Sequence, residues 1–267
     1  MSNKPDLIRV SEGLRVAYYR VSANSRFWDD LWASQETQRL YENAQKGELG
    51  YFDDIFPKYL PTHGRILEAG CGLGQFVIAL RQRGYQVEGV DYGEQTINAL
   101  NKTFPKMNFL FGDVTKLDAP DGHYHGYISL GVMEHRQEGP EPFLKEANRV
   151  LAPDGIALIS VPHLNAIRTL KKAFGFFRKP APAGLSFYQY LYSSSEFNKK
   201  LNDAGFQVIA HHQYDGHKGL VGELPWLMKL YNLPKVGWRI YRVLRDWRWA
   251  NDHMGHMMMY VCRKMQP

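Results

Sequence analysis

Three acidic residues and two histidines in this chain each follow closely on a short apolar run, and three glycines at alternate positions stand among them. The stretch from Arg65 to Gln75 reads R-I-L-E-A-G-C-G-L-G-Q, with Glu68 two residues ahead of Gly70, Gly72 and Gly74. Glycine tolerates positive φ and, lacking a Cβ, lets a ligand lie against the backbone. A tight turn from strand to helix also aims free N–H groups and the positive end of a helix dipole at whatever binds there. A pyrophosphate-binding loop would read G-x-G-x-x-G. Here the spacing is G-x-G-x-G behind a carboxylate, which would repel a pyrophosphate but suits the ammonium group of an amino acid. Cys71, inside the loop, reads as a small packing residue where nothing larger fits.

The same alternation continues downstream. Residues 86–90 form a second apolar strand ending in Asp91-Tyr92, and an acid about 20 residues after the glycines can accept hydrogen bonds from ribose hydroxyls. Residues 108–111 lead into Gly112-Asp113-Val114. The next strand runs into Leu130-Gly131-Val132-Met133-Glu134-His135, and R-V-L-A-P-D-G (149–155) precedes a fifth strand over 156–161. In this order the motifs resemble class I S-adenosylmethionine-dependent methyltransferases, of the type acting on small molecules. The match covers residues 60–165.

That resemblance implies an α/β fold: a Rossmann-like, mostly parallel sheet of seven strands with helices on both faces, an N-terminal helical cap and C-terminal lid insertions. It also implies S-adenosylmethionine as cofactor, S-adenosylhomocysteine as product, and no metal. Glu68 would orient the methionine amino group, and Gly70, Cys71, Gly72 and Gly74 would make room for the cofactor. Asp91 and Tyr92 would take the ribose, Asp113 and Val114 the adenine, and Leu130 and Gly131 the methionine end.

The elements that must position these residues follow a simple order. Residues 1–60 are expected to hold cap helices, preceded by an arm or short hairpin before residue 24. Residues 61–162 form the cofactor-binding core, because five apolar runs separated by amphipathic segments imply a parallel sheet with ligands beyond the strand C-termini. Residues 163–192 are read as a lid insertion. Residues 193–267 complete the core, interrupted at 216–254 by a second lid insertion that is too long and too apolar for a simple turn.

Methyl transfer from a sulfonium needs a positioned nucleophile and a dry site; a general base is required only where the acceptor carries a proton of high pKa. His135 and His163 are the candidate bases. Trp28, Tyr188, Tyr190, His211 and Tyr214 are candidates to line the acceptor pocket, although each could equally be a packing or surface residue. An aromatic lining suits a small aromatic or apolar acceptor, methylated on O, N, S or C. Two alternatives stand beside it. The Trp- and Arg-rich segment 226–249 could lie on a membrane surface, making the acceptor a lipid or polyprenylated ring. The chain could also bind S-adenosylmethionine without catalysis.

At 267 residues, 44% apolar and 22% charged, the composition is that of an ordinary globular protein. Two cysteines far apart suit a reducing cytoplasm and no disulfide framework. The first residues lack the apolar stretch of a signal peptide, and a net charge of +6 is too modest, without a recognition motif, to predict nucleic-acid binding.

Overall fold

The computed structural model describes residues 7–20, 37–177, 184–231, 233 and 236–266. Two strands come first, β1 (Ile8–Glu12) and β2 (Arg15–Arg20), paired as an antiparallel hairpin. Helix α1 (Thr37–Gln45) and a short helix α2 (Phe56–Tyr59) follow. The cap is thus helical only from residue 37 among the described residues, and 8–20 are strands. The reason is local: Val16, Ala17 and Tyr18 are all buried, so the segment is covered on both faces, which suits a strand.

The core then alternates. It runs β3 (Arg65–Ala69), α3 (Gln75–Gln82), β4 (Gln86–Asp91), α4 (Glu94–Thr103), β5 (Phe109–Phe111), β6 (Tyr124–Leu130), α5 (Glu141–Val150) and β7 (Leu151–Pro162). After α6 (Ala166–Ala173), β8 (Ser186–Leu191) and α7 (Ser194–Asp203) comes β9 (Phe206–Tyr214). Four helices, α8 (Gly216–Val221), α9 (Leu227–Tyr231), α10 (Gly237–Asp246) and α11 (Arg248–Met254), precede β10 (Met257–Lys264).

Seven strands form the main sheet in the order β5-β4-β3-β6-β7-β10-β9. β10 runs antiparallel to both its neighbours, and the other pairs are parallel. Side chains alternate across the pleat as the strand period requires. Leu67, Tyr127, Ala157 and Tyr260 enter one apolar cluster. Ile66, Ile128, Leu158 and Val261 enter the cluster on the other face. Burial on both faces explains why these strands read as continuous apolar runs.

β8 does not join this sheet. It pairs with β2, so the aromatic run 187–192 and the N-terminal hairpin form one three-stranded sheet. The helices α8 to α11 are tied to α6 by a buried polar junction. Glu223 accepts from Arg168 Nε at 3.0 Å, Arg9 Nη1 at 2.8 Å and Lys171 Nζ at 3.0 Å. Arg168 also donates to the His163 carbonyl and to His256 Nδ1. Both Arg168 and Glu223 are 2% exposed. Burial alone would raise the Glu223 carboxyl, but Arg9, Lys171 and Arg168 together hold it below its ordinary value.

Removing that carboxylate leaves buried cations without a counter-charge, so Glu223→Gln should destabilise the fold by about 3–5 kcal/mol at neutral pH. Because the folded carboxyl titrates below its unfolded value, its contribution is present above about pH 4.3 and fades as pH falls through the folded value. Urea unfolding of wild type and variant should therefore differ most at neutral pH and converge in acid.

Candidate active site

Chain order reverses between β3 and β6, the place where open α/β sheets bind ligands beyond the strand C-termini. A cavity of about 460 Å³ lies there. Its floor is the loop between β3 and α3, where Gly70, Gly72 and Gly74 have φ of +80°, +48° and +70°. Beyond their conformation, two of these glycines are needed for space. A Cβ on Gly74 would come within 2.5 Å of the Phe109 ring, and one on Gly70 would collide with Val132. Cys71 is buried beneath the loop, and burial raises its thiol far from reactivity.

Asp91, at the end of β4, holds the loop in place. Its Oδ2 accepts from the Gly72 N–H at 2.8 Å, and its Oδ1 from the Gly93 N–H at 2.9 Å. Glu68 is 3% exposed and accepts from the Val77 N–H, in the first turn of α3, at 3.1 Å. Burial pushes its carboxyl up to about 8, against the Val77 hydrogen bond, and the Asp91 charge adds to the rise. A buried acid in that state is a ready partner for a ligand cation. Asp113 uses Oδ1 to hold both the N–H and the hydroxyl of Thr115, each at 2.8 Å. Tyr92, Asp113, Val114, Leu130 and Gly131 all border the same cavity. The predicted cofactor residues are thus brought together, with the exception of Gly74, which supports the loop from behind.

The candidate bases separate. His135 borders the cavity, and its Nδ1 lies 2.7 Å from the Tyr188 carbonyl, so the Nδ1–H tautomer donates there. Burial lowers its pKa to about 4, against that hydrogen bond. His163 lies away from the cavity in the lid junction, its N–H bonded to the His256 carbonyl and its own carbonyl to Arg168. Tyr188 packs its ring 5.1 Å from the His135 ring. Tyr190 is buried and donates to the Gln137 carbonyl at 3.0 Å. Tyr214 sits 2.8 Å from the Ser160 hydroxyl and packs edge-on to Phe52. His211 is out on β9, beside Asn198, and does not border the cavity. Trp28 lies outside the described residues.

Glu134, beside the candidate base, is not among the residues that the sequence reading assigns to the site. It is 2% exposed, its Oε1 is 3.7 Å from His135 Nε2, and its Oε2 is buried without a hydrogen-bond partner among the described residues. A Cβ on Gly131 would meet only Glu134 Oε1 at 3.4 Å and Met257 Cε at 3.5 Å. The glycine at the cavity wall therefore leaves space beside that carboxyl. Burial raises the Glu134 pKa to about 8, partly offset by a backbone hydrogen bond and by Lys218. The available signal was a glycine followed three residues later by an acid just past a strand end.

Comparison with known proteins agrees with this fold. A family model described as a methyltransferase domain matches residues 41–211. A protein of Mycolicibacterium smegmatis, described as a "Probable S-adenosylmethionine-dependent methyltransferase", is 32% identical over 98 residues, which are 37% of this chain and 38% of that protein. The chain thus spans about two fifths of that relative's length. Demethylmenaquinone methyltransferase of Chlorobaculum tepidum is 30% identical over 159 residues, 54% of this chain and 65% of the relative. Among solved structures, phosphoethanolamine N-methyltransferase 2 of Haemonchus contortus, in complex with phosphomonomethylethanolamine and S-adenosylhomocysteine, shares the fold. It has a TM-score of 0.58 and 16% identity, over 98% of this chain and 72% of that one. With the domain model covering well over half of its length, the chain belongs to the class I S-adenosylmethionine-dependent methyltransferases.

Proposed function

We propose that this protein transfers a methyl group from S-adenosylmethionine to a small aromatic or apolar acceptor. The observation that carries this reading is the convergence of Glu68, the glycine loop, Asp91 and Asp113 on one cavity that continues to His135. The relative named for demethylmenaquinone supports an acceptor of that class. When bound, S-adenosylmethionine supplies a methyl group on positive sulfur, open to in-line attack.

The chain's own residues do the rest. Glu68, in its ionised form, balances an ammonium group. Asp91, which holds the loop and borders the cavity at the end of β4, is the acid placed to meet vicinal hydroxyls. Asp113 has Oδ2 for an exocyclic amine, since Oδ1 is taken by Thr115. His135 stays neutral at physiological pH and stands at the cavity wall, where a neutral imidazole can take an acceptor molecule's proton. The lid segments 163–192 and 216–254, joined through Glu223, cover the acceptor side and exclude water. Methyl-labelled S-adenosylmethionine, incubated with the protein and a cell extract separated into soluble, lipid and macromolecular fractions, tests the acceptor class. Label in the soluble fraction is expected.

Asp91→Ala should weaken S-adenosylmethionine binding by about 1–3 kcal/mol, the cost of polar groups left unpaired; unchanged affinity by calorimetry would take Asp91 out of the ribose contact. In the free protein Glu68 keeps its proton up to about pH 8. An ammonium beside it favours the carboxylate, so binding below that pH should release a proton and affinity should rise with pH. Calorimetry in buffers of different ionisation enthalpy reads that proton, and Glu68→Gln should abolish its release. His135→Gln should reduce turnover by about 100-fold or more with cofactor affinity unchanged. Undiminished turnover would reject it as the base.

A further inference from the structure

The two lid segments carry a surface the methyl-transfer site does not use. Among the described residues, twenty large apolar side chains are exposed, and twelve of them fall within 166–179 and 226–249. They come in two groups. Leu170, Phe174 and Phe176 stand on α6 and the turn after it, and Trp238, Val243 and Trp247 represent those on and around α10. Phe174 and Val243 are 73% and 67% exposed, values more typical of a charged residue than of a phenylalanine or valine. α6 packs against α11, so both groups belong to one packed unit.

Charge is concentrated on the same stretches. Residues 166–179 and 226–249 contain eleven Lys and Arg and one acid, out of 33 basic and 27 acidic residues in the whole chain. Arg168 and Lys171 among them are held by Glu223 in the buried junction, which leaves nine basic residues against one acid on these stretches. On α10, Trp238, Arg239, Tyr241, Arg242 and Val243 are all exposed. The Arg242 guanidinium lies 4.7 Å from the Trp238 ring, which lets a cation and an indole share one polar–apolar boundary.

We infer that this face of the lid docks on an anionic lipid bilayer. A helix with exposed tryptophans among arginines matches the headgroup zone, where the rings seat at the boundary and the cations meet anionic headgroups. No helix among the described residues is long and apolar enough to cross a membrane, so the contact is peripheral. A nucleic acid would use the arginines but has no complement for Leu170, Met228, Val236 and Val243. A second copy of the chain would press two strongly positive faces together.

Flotation with vesicles tests this directly, and it needs neither cofactor nor acceptor, so it stands apart from the methyl-transfer reading. The protein should float with vesicles of equal parts phosphatidylcholine and phosphatidylglycerol, should not float with phosphatidylcholine alone, and should be released by salt. Arg239→Ala combined with Arg242→Ala should lower partitioning by about 30-fold, two cations at roughly fivefold each. Phe174→Ser should weaken partitioning without changing the salt dependence. Lys102→Ala with Lys106→Ala, on the exposed side of the core, should leave it unchanged. Circular dichroism melting confirms that each variant is folded. Failure to float with anionic vesicles, equal flotation with neutral ones, or an arginine double variant that floats like wild type would overturn the inference. So would tighter binding to single-stranded RNA than to anionic vesicles, or a dimer in sedimentation that is indifferent to lipid.

Discussion

The Asp91 carboxylate is the point on which the site's geometry depends. Its two oxygens take N–H groups from two different loops, Gly72 after β3 and Gly93 after β4. The Val90 carbonyl adds bonds from the N–H groups of Gly70 and Cys71, so the glycine loop is fastened at three successive odd and even positions to one strand end. A loop with three residues at positive φ has little intrinsic preference for a single shape. Held at Asp91, it becomes a fixed rim. The same carboxylate is a short distance from buried Glu68 and raises that acid further. One side chain thus sets the shape of the rim and adds to the rise that burial gives its neighbour.

The helices between β9 and β10 are organised on the opposite principle. Where the glycine loop is fixed by backbone hydrogen bonds, they are fixed by a buried ionic junction with Glu223 at its centre. This junction joins the hairpin through Arg9, α6 through Arg168 and Lys171, and the start of β10 through His256. Asn165 reinforces it by capping α6 with its Oδ1 while its Nδ2 reaches the Met254 carbonyl. An ion cluster of this kind specifies one arrangement of several elements without needing the continuous apolar interface a core requires. The outward face of the lid can then keep its tryptophans and phenylalanines exposed.

The cofactor half was legible in the sequence because its demands are local. Glycine spacing, an acid two residues ahead and acids at strand ends are each set by chemistry within a few residues, and all border one cavity or support it. The acceptor half was less legible because it depends on long-range placement. His135 and His163 both lie beyond the ends of neighbouring strands, yet one reaches the cavity and the other is drawn into the Glu223 junction by Arg168 and His256. His211 reads as a pocket residue but packs on Tyr260 and sits beside Asn198, away from the cavity. Arg168 and Glu223, 55 positions apart, look like surface charges until the fold buries them together. The N-terminal hairpin finds its partner at β8, some 170 residues later, which no local pattern reveals.

The reversed strand β10 has a consequence for how the chain must assemble. β7 and β9 are both made before the strand that lies between them, and the whole lid helix series is inserted between β9 and β10. During synthesis β7 therefore presents an open edge of apolar strand, and β9 has nothing in the sheet to pair with. Such edges invite wrong pairings until they are covered. Closing the sheet requires Met257 onward to thread into register with Pro162 on one side and Tyr214 on the other. That closure brings Met254 and His256 to Asn165 and Arg168 in the same step. Sheet completion and closure of the Glu223 junction are thus one event, and a nascent chain stalled before it would expose the β7 edge with that junction still open.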